Sequence, residues 1–200
     1  MGNWMKHTII VGMPRSGKTT LAIQMFDQLD HGCIFINTQM EDFNEKMSEA
    51  GTPMKSQSEI LFRYDNKILD QLGNRKIIFN IQDNDEVVPL IRQIFQGQQR
   101  LQSINPITVF VDECHLFFPR YMNIHNNANK PIKNIFTRGS KFNLRLILIS
   151  QKPQFVCPDV YTLCERMIVF KLHPNDYSYF HRHHITIPTV TEDYAYEVVE

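Results

Sequence analysis

Residues Gly12 to Thr19 read GMPRSGKT, two glycines with four residues between them and Lys-Thr directly after the second, between the apolar run His7–Val11 and a stretch of helical spacing, Lys18–Leu29. A strand before such a loop and a helix after it mark a phosphate-binding loop. The glycines let the backbone curl so that successive N–H groups point at phosphate oxygens. The helix start adds its positive end at the same place. Lys18 is positioned to reach the β- and γ-phosphates, and the Thr19 hydroxyl to ligate Mg²⁺. Gly12, Arg15, Ser16, Gly17 and Thr20 complete the candidate nucleotide-binding set with these two. The chemistry is capture of a nucleoside triphosphate, read as ATP with Mg²⁺.

A second constellation supplies what hydrolysis needs. Ile107–Val111 leads into Asp112 and Glu113. In a parallel sheet the ligand lies beyond the carboxyl ends of the strands, which puts both acids beside the phosphate loop. Asp112 suits Mg²⁺, held through its water shell, and Glu113 suits a general base that polarises water for attack on the γ-phosphate. Asp-Glu at this point speaks for an ATPase coupled to mechanical work instead of a nucleotide switch. Downstream, Leu144–Ser150 is an apolar run that delivers Gln151 to its own tip. If this strand lies between the phosphate-loop strand and the Asp-Glu strand, the amide can accept from the attacking water and donate to a phosphate oxygen. Gln151 is therefore a γ-phosphate sensor candidate. Cys114 and His115 sit next to the acids and read as packing residues.

Holding these groups requires a sheet. Strands are predicted at His7–Val11, Cys33–Asn37, Lys76–Ile81, Ile107–Val111, Leu144–Ser150 and Arg166–Leu172, most of them continuous apolar runs of the kind buried on both faces. Lys18–Leu29, Glu59–Leu72 and Val88–Leu101 carry helical spacing. The alternation predicts an α/β fold, a mostly parallel sheet between helices. Residues 49–58 read as a linker and the Asn-rich residues 120–131 as a loop, while the chain after Pro174 is polar and aromatic with no clear periodicity.

Composition narrows the classes. The chain has 200 residues, 42% hydrophobic, room for one well-buried domain. Lys plus Arg and Asp plus Glu both number 21, so a nucleic acid must be met by a local patch or by several subunits together. Arg120, Lys130 and Lys133 flank the Asn-rich loop and are candidates for phosphate contact. Cys33, Cys114, Cys157 and Cys164 form no CxxC pair and read as reduced thiols. The first residues show no long apolar stretch with a small-residue cleavage site, and no run nears the roughly 18 apolar residues of a membrane span, so the expectation is a soluble intracellular protein without membrane insertion. His181, His183 and His184 lack Cys or carboxylate neighbours at metal-ligand spacing and read as solvated.

Taken together, GMPRSGKT, VFVDECHLFFP, TRGSKFNLRLILISQKP and CERMIVFKL resemble, in order and spacing, the HerA/FtsK superfamily of DNA-pumping ATPases, over roughly Thr8 to Leu172. The layout looks most like the compact genome-packaging ATPases of membrane-containing bacterial and archaeal viruses. The resemblance implies a RecA-like P-loop NTPase fold of the additional-strand, catalytic-Glu type. It implies a motor domain over 1–173, with a tail at 174–200 packing on or extending from it. It further implies a homo-oligomeric ring, usually a hexamer, that hydrolyses ATP at subunit interfaces and drives double-stranded DNA through a pore. Capsid vertex or portal proteins would be its partners, in the host cytoplasm or at the packaging vertex of the virion. An arginine in the family reaches a neighbour's γ-phosphate. Arg138 matches the FtsK-like spacing, whereas the HerA-like pattern falls on Ser140, leaving Arg120 and Arg145 as substitutes. Two other functions compete: a zonula-occludens-toxin-like assembly ATPase of filamentous phages, whose relatives normally continue into a transmembrane helix, and a nucleotide-dependent binding switch.

Overall fold

Isoleucine, valine and phenylalanine dominate the central strands, which lie side by side because neither of their faces meets water. The structure, a computed structural model, describes residues 6–38, 54–55, 76–80, 87–101 and 105–200. Its strands are β1 (Thr8–Val11), β2 (Gly32–Asn37), β3 (Met54–Lys55), β4 (Lys76–Asn80), β5 (Ile107–Val111), β6 (Leu144–Ser150), β7 (Arg166–Phe170) and β8 (Tyr196–Val199). They form one sheet in the order β3-β4-β2-β5-β6-β1-β7-β8. All pairings are parallel except β7 with β8. Among the described residues the α-helices are α1 (Lys18–Gln28), α2 (Val87–Leu101), α3 (Lys130–Arg138), α4 (Pro158–Leu163) and α5 (Pro174–Arg182).

Alternate strand residues point to opposite faces, and each face has its own core. Ile10, Phe35, Phe110, Ile147 and Ile168 pack under α1, against Ala22, Met25 and Phe26. Ile9, Ile34, Val109, Leu146 and Val169 face the other way, toward Ile91 and Ile94 of α2, Ile135 and Phe136 of α3, and Tyr179 and Phe180 of α5. This two-sided burial explains why continuous apolar runs, and not alternating ones, marked the strands.

Strand boundaries agree with the sequence reading to within one residue, Ile81 lying outside the described residues, except where the phosphate loop intervenes. The last strand was expected to reach Leu172 but β7 ends at Phe170. The reason is competition for a carbonyl: Lys171 O accepts from the Met13 N–H at 2.9 Å, so the chain turns from ladder to loop contact there. The expected helix Glu59–Leu72 lies outside the described residues. Met54–Lys55, inside the stretch read as a linker, pairs with β4. In the Asn-rich loop the amides bind locally: Asn126 Oδ1 accepts from Ala128 N and Asn129 Nδ2 donates to Asn123 O. The polar-aromatic stretch after Pro174 becomes α5, whose His173–Asp176 capping box starts it, and the antiparallel edge strand β8. No helix among the described residues is long and apolar enough to cross a membrane.

Three rings lock the α1 face. Phe35 and Phe110 stack at 5.4 Å, and Phe26 meets them edge-on at 5.8 and 5.5 Å. Because all three are fully buried, Phe110→Ala is expected to lower unfolding free energy by about 3–5 kcal/mol. Chemical denaturation checks this, and a loss below about 1 kcal/mol would show that the ring cluster does not hold α1 on the sheet.

Candidate active site

The phosphate loop owes its shape to two glycines for different reasons. A Cβ at Gly12 would fall 2.6 Å from Phe170 Cβ and 2.8 Å from Ser16 Oγ, so close approach to β7 demands glycine. Gly17 has φ +100°, in the left-handed region that glycine alone enters freely. Arg15, at φ +62°, shares that region and stays exposed at the loop's crest. Helix α1 starts directly behind, with Leu21 N donating to Gly17 O at 2.9 Å. Lys18 is buried, and its Nζ donates to Met13 O at 2.7 Å and to Ser16 Oγ at 3.3 Å. Burial lowers its pKa to about 8, while Glu113 and Asp112 pull it back up. Thr19 is half-buried and Thr20 exposed on the first turn of α1.

Sheet order brings the catalytic candidates to this loop. β6 pairs with β1 on one side and β5 on the other. Ser150 is level with Val11 and Leu148 with Val111. Gln151 therefore emerges beside Gly12, with Asp112 and Glu113 on its opposite flank. Gln151 Nε2 donates to Glu113 Oε1. Glu113 is buried, in the left-handed region at φ +48°, and its N–H donates to Asp112 Oδ1 at 2.9 Å. Its other oxygen lies 3.2 Å from His115 Nδ1. His115 Nδ1 in turn lies 3.3 Å from Ser150 Oγ, which also accepts from Lys152 N at 3.1 Å.

Burial, and then the Glu113 charge beside it, push the Asp112 pKa up to about 6, opposed by the Glu113 N–H and by Lys18. A divalent cation would favour the ionised carboxylate, which burial disfavours. Asp112 and the Thr19 hydroxyl offer hard oxygen donors of the kind Mg²⁺ takes. The residues fit the metal.

His115, read from the sequence as a packing residue, and Ser150, which the sequence reading did not single out, join the site. A histidine two places after the glutamate and a serine just before the glutamine were the available signals. Neither carries meaning until β5 and β6 lie side by side.

The arginines do not join the site. Arg138 is exposed at the end of α3, where the chain enters β6, at the opposite end of the sheet from Gln151. Arg120 is exposed, its guanidinium 5.4 Å from the Tyr179 ring centroid. Arg145 is 6% exposed and sits level with Thr108, six residues before Gln151. Unlike Arg138 and Arg120, it is covered by its own chain, so its guanidinium is not presented to a neighbour. His181 and His184 are exposed, and the His183 ring rests against Tyr179 at 4.6 Å. Among the described residues no three His, Cys, Asp or Glu side chains are grouped to hold a metal. The four cysteines are buried free thiols.

Known proteins agree with this fold. The family model for Zonular occludens toxin (Zot) matches residues 7–192. The probable DNA double-strand break repair helicase HerA of Methanocaldococcus jannaschii is 35% identical over 78 residues, 38% of this chain and 15% of that protein. This chain thus aligns with a small part of that relative's length. The genome packaging NTPase B204 from Sulfolobus turreted icosahedral virus 2, in complex with sulfate, is similar in fold at TM-score 0.67 and 15% identity, over 96% of this chain and 90% of that one. Its complex with ATP-gammaS gives 0.66 at 15% identity, over 91% and 83%. VirB4 of Thermoanaerobacter pseudethanolicus gives 0.55 at 11% identity, over 92% and 82%. At such identities the likeness is one of fold. Together they bear out a HerA/FtsK-type P-loop ATPase with a RecA-like sheet.

Lys18→Ala removes the compact charge aimed at the β/γ-phosphates, so the folded variant should lose ATP affinity; calorimetric titration showing wild-type affinity would remove the phosphate-loop assignment. Asp112→Asn should do the reverse for stability. An acid whose folded pKa rises from 3.8 to about 6 destabilises the fold when ionised, on the order of 3 kcal/mol at neutral pH. The variant should therefore be the more stable protein near pH 7. Its advantage should shrink as pH falls through about 6 and vanish below about 3.8. Thermal melts across that range check the sign; a less stable variant at pH 7 would show that the carboxylate's attraction to Lys18 outweighs the cost of its burial.

Proposed function

We propose that this chain, which belongs to the Zonular occludens toxin (Zot) family, is an ATP-hydrolysing motor that drives double-stranded DNA into a viral capsid. The observation that carries the reading is the meeting of Gln151 with Glu113 beside the loop that holds Lys18. A carboxylate base and a neutral amide, brought together by a strand inserted next to the phosphate-loop strand, suit a machine that must sense each turnover. A binding switch gains little from a positioned base.

In this reading Lys18 neutralises charge on the β/γ-phosphates; Thr19 and, through water, Asp112 would hold Mg²⁺, which would supply further neutralisation. Glu113 accepts a proton from water as the water oxygen bonds to the γ-phosphorus and the bond to the β–γ bridging oxygen breaks. Gln151 exchanges its bond to Glu113 for one to the γ-phosphate, which frees the carboxylate for the water. Arg138, facing away from its own pocket, serves the pocket of a neighbour in a homo-oligomeric ring that we take as a hexamer. Around such a ring, Arg120, Lys130 and Lys133 would repeat along the DNA path and neutralise phosphates although the monomer is neutral. The fold likeness to a genome packaging NTPase over nine-tenths of both chains supports a compact packaging motor. Capsid vertex or portal proteins are the implied partners, and the host cytoplasm and the packaging vertex the implied locations.

The family match specifically favours a second reading, an assembly ATPase of the filamentous-phage type. Duplex DNA separates the two. A packaging motor should hydrolyse ATP several-fold faster with duplex DNA than without, whereas unchanged turnover in an otherwise active enzyme would favour the assembly ATPase.

Glu113→Gln should retain ATP binding and lose hydrolysis by a factor on the order of 10² or more; near-normal turnover would move the base elsewhere. Arg138→Ala should be silent in dilute monomer and severe in the assembled ring. Mixing it with Glu113→Gln subunits creates interfaces that join an intact base to an intact arginine, so activity should partly return. A co-assembled mixture as inactive as its parents would pass the role to Arg120.

A further inference from the structure

The segment before β8 has no assigned role, yet it comes to rest on the phosphate loop. A Cβ at Gly17 would lie 3.3 Å from Tyr194 Cδ1, so the Tyr194 ring borders the start of α1. That ring is 71% exposed. Tyr194 also has φ +62°, a left-handed conformation that costs a non-glycine residue energy and persists only where its surroundings impose it. They do so from both sides. Asp193 Oδ1 accepts from Lys171 Nζ at 2.8 Å, and Tyr196 pairs with Phe170, their rings 5.2 Å apart. The backbone is thus clamped to the end of β7 while an aromatic face is left open beside the loop.

Sheet order says which end of a nucleotide would meet it. Glu113 and Gln151 lie on the β5–β6 side of the phosphate loop, and they mark where the γ-phosphate goes. β7 and β8 lie on the other side. Because β8 runs antiparallel to β7, its first residues stand at the same end of the sheet as the loop. A triphosphate laid along the loop with its γ-end at Gln151 must run its nucleoside toward the β7–β8 side, where Tyr194 stands.

We propose that Tyr194 is the platform on which the base of the bound nucleotide stacks, and that the segment Asp193–Tyr196 forms the base side of the pocket. This rests on the nucleotide-binding reading of the loop and extends it to the purine. Stacking on a ring face reads aromaticity and not edge pattern, so adenine and guanine nucleotides should depend on it alike.

The test titrates the full chain with ADP, GDP and inorganic tripolyphosphate, each with Mg²⁺, by calorimetry. Tyr194→Ala should weaken ADP and GDP on the order of tenfold or more, the loss expected for one base–ring stack, and leave tripolyphosphate unchanged. Tyr194→Phe and Tyr194→Trp should restore both nucleotides. Equal loss of nucleotide and tripolyphosphate would overturn the proposal, since the ring would then only shape the loop. So would unchanged or tighter nucleotide binding in Tyr194→Ala, the latter marking the ring as a cover. Lys18→Ala separates the two levels: if it abolishes tripolyphosphate binding while Tyr194→Ala changes nothing, the phosphate site stands and the base platform falls. A wild-type chain that binds none of the three would overturn both.

Discussion

Everything at this site depends on where β6 enters the sheet. Parallel strands deliver all their carboxyl ends to one edge, so the neighbours of a strand decide which residues meet there. With β6 between β1 and β5, Gln151 is one residue past the partner of Val11 and faces Glu113 across the β5 tip. Were β5 next to β1, as in a sheet without the added strand, the acids would face the phosphate loop directly and Gln151 would have no access to it. The insertion is possible because Leu146, Ile147, Leu148 and Ile149 are apolar on both faces and fully or almost fully buried. A strand with one polar face could not occupy the middle of this sheet.

The same placement concentrates costs. Lys18, Asp112 and Glu113 are all buried, and burial works against charge on both Lys18 and Asp112. Glu113 and Arg15 adopt left-handed backbone. Mutual attraction offsets part of this, since each acid raises the Lys18 pKa and Lys18 lowers that of Asp112. The remainder is what a bound metal–nucleotide would relieve, and the two aromatic-rich cores on either side of the sheet stabilise the fold against it. Local strain of this kind gathers at sites that must bind and release.

The legibility of these features follows the range of the interactions behind them. The phosphate loop was plain in the sequence because its shape is a matter of consecutive residues: Gly12 for close approach, Gly17 for φ, Lys18 at the helix start. Asp112, Glu113 and Gln151 were legible because both-face burial gives strands a continuous apolar signature that ends where the tip emerges. His115 and Ser150 were not, because their pairing needs β5 and β6 adjacent. The early end of β7 depends on a hydrogen bond from Met13, more than 150 residues earlier in the chain. Tyr196–Val199 is a half-exposed edge strand with no buried run to announce it. A residue that acts on another subunit leaves no trace in a single chain, so the structure bears on the candidate arginines only by burying Arg145.

The central claim is that Gln151 and Glu113 act as one unit, the amide governing when the carboxylate is available to water. Single-turnover ATP hydrolysis by wild type, Gln151→Ala, Glu113→Gln and the double variant tests it most directly. The account predicts strong non-additivity, with the double variant no slower than Glu113→Gln alone, because the amide has nothing to govern once the base is gone. Losses that multiply would show two residues acting independently and would contradict it.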